Sequence, residues 1–257
     1  MSISSASNPQ VKRLKALGLK SNLRKKENVF LVEGKKEITF ALQANYDLQN
    51  LFYAHHIPES LKPYQPKCIA LSARLLDSLL YRKEGDQLLA VFERKNHPLE
   101  DIQPKKKGLY LILEGIEKPG NVGAILRTAD ATKVDAIVLS NPQCDLYSPN
   151  CIRSSLGCVF HQNIAFAKNQ ELLEWLKKND IKIFATDLQN TNNYLQESYT
   201  QSSAFIFGAE SSGISDFWKS NADKRVNIAM LGKNDSLNVS VTAAVIAFEA
   251  KRQRMYE

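Results

Sequence analysis

No apolar run in this 257-residue chain approaches the ~20 residues needed to cross a bilayer. Nor does an apolar stretch of signal-peptide length follow the first basic residues, so a cytoplasmic, non-secreted protein is expected. The four cysteines, Cys68, Cys144, Cys151 and Cys158, form no C-x-x-C pair and have no cluster of histidines beside them. That argues against a zinc centre and for reduced structural thiols, and no metal is expected. There is no G-x-x-x-x-G-K-[ST] phosphate loop, and Gly115, Gly120 and Gly123 miss the G-x-G-x-x-G spacing of a dinucleotide fold. G-x-S-x-G is also missing, and His55, His56, His97 and His161 lie outside the segments singled out below, which excludes a hydrolase triad. Internal repeats and low-complexity tracts are absent.

What is present begins with charge. The net charge of +7 is concentrated in residues 1–100, which hold 16 Lys/Arg against 10 Asp/Glu. Its sharpest expression is Lys12, Arg13, Lys15, Lys20, Arg24, Lys25 and Lys26, with no acidic residue before Glu27. Such a segment suits a polyanion, because each phosphate it neutralises releases condensed counterions. The alternative is a solvated basic helix over an approximate apolar stripe of Val11, Leu14, Leu17 and Leu19.

At 44% hydrophobic content and this length, two domains are more comfortable than one. Periodicity predicts a helix over 8–26, a strand at 29–32, a helix over 34–44 and a strand at 51–54, then short apolar runs to Phe92. The polar stretch 96–107, with Pro98 and Pro104, reads as a linker, which puts a first domain at 1–104 and a second at 105–257. In the second, strands are predicted at 109–113, 136–139, 163–167, 181–186, 204–207 and 226–228. Helices are predicted over 121–132, 149–157, 170–178 and 239–255. Alternation of this kind predicts an α/β fold with a largely parallel sheet covered on both faces.

Three segments stand just after such strands: 121–129 (Asn-Val-Gly-Ala-Ile-Leu-Arg-Thr-Ala), 207–213 (Phe-Gly-Ala-Glu-Ser-Ser-Gly) and 236–240 (Ser-Leu-Asn-Val-Ser). An α/β sheet presents its active edge at such places, so the three argue for one assembled site.

These residues carry a resemblance to the SpoU (TrmH-like) branch of the SPOUT RNA ribose 2'-O-methyltransferases. Pro119, Asn121, Gly123, Arg127, Thr128 and Ala129 match the first motif, and Gly208, Glu210 and Gly213 the second. Ile228, Met230, Gly232 and residues 236–241 match the third, and residues 152–157 resemble the family's R-A-S-x-G segment. Two positions depart from the pattern. Lys118 stands where the family has an acidic residue, and Ala229 where it has proline.

The resemblance implies a SPOUT-type parallel sheet with a C-terminal trefoil knot, a topology that pattern alone would never suggest. It implies S-adenosylmethionine as cofactor, held around Gly208, Ile228, Met230 and Leu237, and a homodimer that completes the site. Gly208 would let backbone approach the ligand, while Ile228 and Leu237 would sandwich a flat base. Arg127 is implied as catalytic, either as base or, since a guanidinium is a poor base, by holding phosphate and a developing alkoxide. Asn121, Glu210 and Asn238 are its implied companions. Other roles stay open: Arg127 paired with Glu114 or Asp130, and Asn121 and Asn238 as helix caps.

Ser4, Ser5, Asn8, Pro9, Val11 and Lys12, with residues 30–34, resemble the small ribosomal-protein-like α/β RNA-binding domain that many members carry. Lys12, Arg13, Arg24, Lys25 and Lys26 are then the candidate RNA contacts, and ribosomal RNA the expected substrate. Transfer RNA, or a non-catalytic ribosome-assembly role on the same scaffold, are the alternatives.

Overall fold

A computed structural model describes residues 2–81, 85–188 and 191–255. In chain order the elements are α1 (Pro9–Leu19), α2 (Ser21–Glu27), β1 (Val29–Glu33), α3 (Lys35–Gln43), β2 (Leu48–Tyr53), β3 (Cys68–Ala70), α4 (Ala73–Asp77) and β4 (Leu88–Glu93). There follow β5 (Leu109–Glu114), α5 (Pro119–Thr132), β6 (Ala136–Ser140), α6 (Pro149–Ser154), β7 (Ile164–Ala167) and α7 (Asn169–Lys178). Last come β8 (Lys182–Thr186), β9 (Asn192–Asn193), β10 (Ser203–Phe207), α8 (Asp216–Asn221), β11 (Lys224–Asn227) and α9 (Val239–Met255).

The chain forms two compact units that differ from a linear split at 104/105. One holds residues 1–96 together with Asp145–His161, and the other holds His97–Cys144 with Gln162–Glu257. The first contains a four-stranded sheet in the order β1-β4-β2-β3, with β4 antiparallel to both β1 and β2. The segment around 145–161 belongs here because its polar and aromatic groups are consumed here. Tyr147 stacks on Phe30 at 4.4 Å between centroids, and its hydroxyl lies 3.1 Å from that of Tyr46. Asp145, 8% exposed, accepts from Arg24 Nε at 2.7 Å, Arg94 Nη1 at 3.1 Å and Ser21 Oγ at 3.2 Å.

The N-terminal helix starts as its residues dictate, with Asn8 Oδ1 accepting from Gln10 N at 2.8 Å and proline in the first turn. It does not run to residue 26. Lys20 takes an extended conformation (φ −111°, ψ 107°), and the Arg24 guanidinium turns back to donate to Leu17 O at 2.6 Å. That bond satisfies a carbonyl at the end of α1 that has no partner within its helix. Arg24 is therefore corrected from a candidate RNA contact to a buried cap and ion-pair partner, 3% exposed. Leu19 also leaves the expected stripe, being 76% exposed while Val11, Leu14 and Leu17 are buried. Lys12, Lys25 and Lys26 are exposed, and Arg13 is half-buried with its Nε 2.7 Å from Glu27.

The second unit holds a seven-stranded sheet in the order β7-β6-β5-β10-β8-β11-β9, parallel at every pairing. Its central strands β5, β6 and β10 are buried throughout and apolar on both faces, as expected where helices cover a parallel sheet. Strands β6 and β7 lie on one side of β5, whereas β10 returns on its other side next to β8. The strand order therefore reverses between β5 and β10. The crevice outside the carboxyl ends of strands at such a reversal is where open α/β sheets bind ligands. Helix α8 and the short β9 were not among the predicted elements; α8 is anchored by fully buried Trp218.

Candidate active site

The parallel pairing of β5 and β10, with Leu113 opposite Phe207, sends the chain out at the same edge after both strands. The first exit leads into α5 and the second into residues 208–213. Asn121, in the first turn of α5, donates from Nδ2 to Glu210 Oε1 at 2.8 Å. Asn238 Nδ2, just before α9, donates to the same oxygen at 2.6 Å and to Asn121 Oδ1 at 3.3 Å. Three positions far apart in sequence thus meet on one carboxylate.

Lys118 Nζ pairs with the other oxygen, Glu210 Oε2. The ammonium and then the Asn121 amide hold the Glu210 carboxyl below its ordinary value, and the carboxylate in turn raises Lys118. The departure from the family pattern at 118 thus supplies a counter-ion to a carboxylate that already carries two neutral donors. Lys118→Met should return the Glu210 pKa towards the ordinary ~4.3. Because wild-type Glu210 stays ionised to lower pH, the acid-side loss of activity should begin at higher pH in the variant. A pH–rate profile with an unmoved acid limb would remove Glu210 from the chemistry.

Asn121 does not cap α5. That helix begins at Pro119 after Lys118, which frees the amide for the site. Asn238 does both jobs, since its Oδ1 accepts from Ser240 N at 2.9 Å at the start of α9 while its Nδ2 faces Glu210. Arg127 is exposed and, among the described residues, takes no hydrogen bond or ion pair. It is not the partner of Glu114, whose buried carboxylate instead accepts from Asn169 Nδ2 at 2.6 Å, Ser215 Oγ at 2.6 Å and Ser215 N at 2.8 Å. Glu114 ties the end of β5 to the loop after β10, and so sets the position of Glu210. Nothing in the local sequence marks it except a carboxylate at the end of an apolar strand.

Gly208, Ile228, Met230 and Leu237 line one cavity of about 730 Å³, whose wall also includes Glu210 and Asn238. Ile228 and Met230 follow β11, so three parallel strands deliver the site at one edge. The loop itself requires glycine at 208, because a side chain there would collide with the backbone of Gly213 and Ile214. The glycine lets the 208–213 loop close on itself, with Gly213 N donating to Ala209 O at 2.8 Å. The wall presents Asp187 and Glu210 as well as Lys219 and Arg225, with Arg225 Nη1 3.5 Å from Asp187. Both signs of charge beside apolar Ile228 and Leu237 fit a ligand that is zwitterionic at one end and a flat heterocycle at the other.

Comparison with known proteins agrees with this geometry. Residues 108–248 match the model of the SpoU rRNA Methylase family. The chain belongs to that family. Residues 8–90 match the MRM3-like substrate binding domain. A Bacillus subtilis relative, 23S rRNA (guanosine(2553)-2'-O)-methyltransferase RlmP, is 29% identical over 97% of this chain and 98% of its own. Among solved structures, an RNA 2'-O ribose methyltransferase superposes with a TM-score of 0.85 at 36% identity, covering 99% of this chain and all of that one. The SpoU methyltransferase AviRb from Streptomyces viridochromogenes, solved in complex with AdoMet, gives 0.87 at 26% identity over 96% and 98% of the two chains.

Proposed function

We propose that this chain transfers a methyl group from S-adenosylmethionine to a ribose 2'-hydroxyl of ribosomal RNA. The observation that carries the reading is the convergence of Asn121 and Asn238 on Glu210 beside the cavity lined by Gly208, Ile228, Met230 and Leu237. End-to-end similarity to a relative named as a 23S rRNA 2'-O-methyltransferase supports the substrate class. The cavity residues would hold the cofactor, which supplies an electrophilic methyl on a sulfonium.

The chain's own residues mainly position the acceptor. Holding two reacting groups in a near-attack arrangement can supply roughly 7–11 kcal/mol of the barrier reduction. Glu210 fixes both amides beside the cofactor cavity, and Lys118 keeps the carboxylate ionised. Arg127 holds the adjacent phosphate and stabilises the alkoxide as the hydroxyl proton passes to solvent water; a guanidinium with pKa above ~12 is suited to that and not to taking the proton.

A homodimer is part of this reading. One face of α9 packs inward through Ala243, Ile246, Ala247 and Ala250, yet Val241, Phe248 and Met255, seven residues apart, remain 46%, 54% and 68% exposed. A helix apolar on both faces calls for a partner on each. A C-terminal trefoil knot, a cytoplasmic location and phosphate contacts from Lys12, Arg13, Lys25 and Lys26 belong to the same reading.

The test is incubation of the protein with methyl-labelled S-adenosylmethionine and total RNA. Label should appear in ribosomal RNA at an alkali-resistant, 2'-O-methylated linkage. Cofactor binding without transfer to RNA would leave only an RNA-binding scaffold.

A further inference from the structure

We infer that the first unit carries a pocket for one unstacked base of the RNA substrate, between α1 and α6 and bordered by Tyr81. This rests on the reading that the chain acts on RNA. The cavity measures about 260 Å³ and is walled by Leu14, Leu31, Leu89 and Ile152. At ~30 Å³ per water, that is room for roughly nine waters, comparable with a single heterocyclic base.

Four features set it apart from a packing defect. Leu19 and Tyr81, 76% and 62% exposed, both border it, so large apolar groups are left in water at its mouth. The Arg153 guanidinium lies over the Tyr81 ring at 4.2 Å from its centroid. Arg153 Nη2 donates to Asn150 Oδ1 at 3.1 Å, but its buried Nε has no hydrogen-bond partner. A buried unpaired donor is costly, and an acceptor on a base would satisfy it.

The fourth feature is the distribution of charge. The wall includes the carboxylates of Glu33 and Glu37, whereas Lys15 also borders it and Lys12, one turn earlier on α1, is exposed. Carboxylates inside repel phosphate; lysines outside attract it. The arrangement takes a base inward and leaves the backbone at the rim, as in single-stranded RNA recognition.

The experiment uses the full chain and a single-stranded uridine oligoribonucleotide carrying one 2-aminopurine. Binding should quench the fluorophore, because the base stacks against Tyr81. Tyr81→Ala should weaken binding ~5- to 100-fold and abolish the quenching, the range that loss of one base–aromatic stack gives. Gly18→Met is the second variant. A side chain at Gly18 has room, its Cβ meeting only Leu31 Cδ1 at 3.8 Å, so it fills the cavity while adding a better helix former. It should abolish quenching with no loss of thermal stability.

Quenching that survives both substitutions overturns the pocket, as does a wild-type chain that methylates RNA without quenching. Quenching by a chain that transfers no methyl group keeps the pocket and removes the methyltransferase reading.

Discussion

Arg127→Ala should lower methyl transfer ~10²–10³-fold, the loss found when one donor to a developing oxyanion is removed. Its dissociation constant for S-adenosylmethionine should change by less than about two-fold, because a group that acts only in the transition state leaves ground-state binding alone. The structural basis is exposure. Arg127 projects from α5 and, among the described residues, makes no hydrogen bond or ion pair, so no internal network depends on it. Both oxygens of Glu210 are already engaged by Lys118, Asn121 and Asn238 within the chain. A guanidinium left unpaired by its own chain is available to a site in a second copy.

Mixing variants decides that point. In a two-fold dimer whose sites each combine Arg127 of one subunit with Glu210 of the other, Arg127→Ala mixed with an inactive Glu210→Ala regenerates one intact site per heterodimer. Random exchange makes half the dimers heterodimeric, so about a quarter of wild-type activity should return. Sites built within one chain give no recovery. Full activity in Arg127→Ala alone would remove the residue from the mechanism.

Much of this site was legible because its elements are local. The 109–113 run and the Asn121–Ala129 segment define a strand, a turn and a helix by their own periodicity, and the structure gives β5 and α5 with only the start of α5 moved to Pro119. What could not be read was adjacency. Pairing of β5 with β10 joins segments more than ninety residues apart, and with it come the bonds from Lys118 and Asn121 to Glu210. Lys118 looked like a mere departure because its partner is set by strand order. Arg24 carried a usable signal: it lies seven residues after Leu17, in phase with the buried stripe of Val11, Leu14 and Leu17. A charge at an apolar phase announces a buried pair or a break in the helix, and here it is both. Its partner Asp145 lies 121 residues away, beyond any local pattern.

Asp145→Ala should therefore destabilise the first unit by ~3–5 kcal/mol, the cost of leaving a buried charge without its partner. Asp145 collects Arg24, Arg94, Ser21 and the Tyr147 backbone, and its removal leaves the Arg24 guanidinium, 3% exposed, without a counter-ion. It also frees the segment whose Tyr147 stacks on Phe30, an aromatic pair worth ~0.5–1.5 kcal/mol beyond its burial. Urea unfolding followed by tyrosine absorbance should show the loss as a lower midpoint. Arg24→Met combined with Asp145→Leu should recover part of it, since it removes the buried Arg24 charge while Arg94 stays without its carboxylate. Lys25, exposed and adjacent in sequence, provides the contrast. Lys25→Ala should change stability by less than about 0.5 kcal/mol. It should instead weaken RNA binding and reduce the slope of log affinity against log salt by about one. Should Arg24→Met behave like Lys25→Ala, with RNA affinity falling while the urea midpoint holds, the buried pair would not be what fixes the 145–161 segment to the first unit.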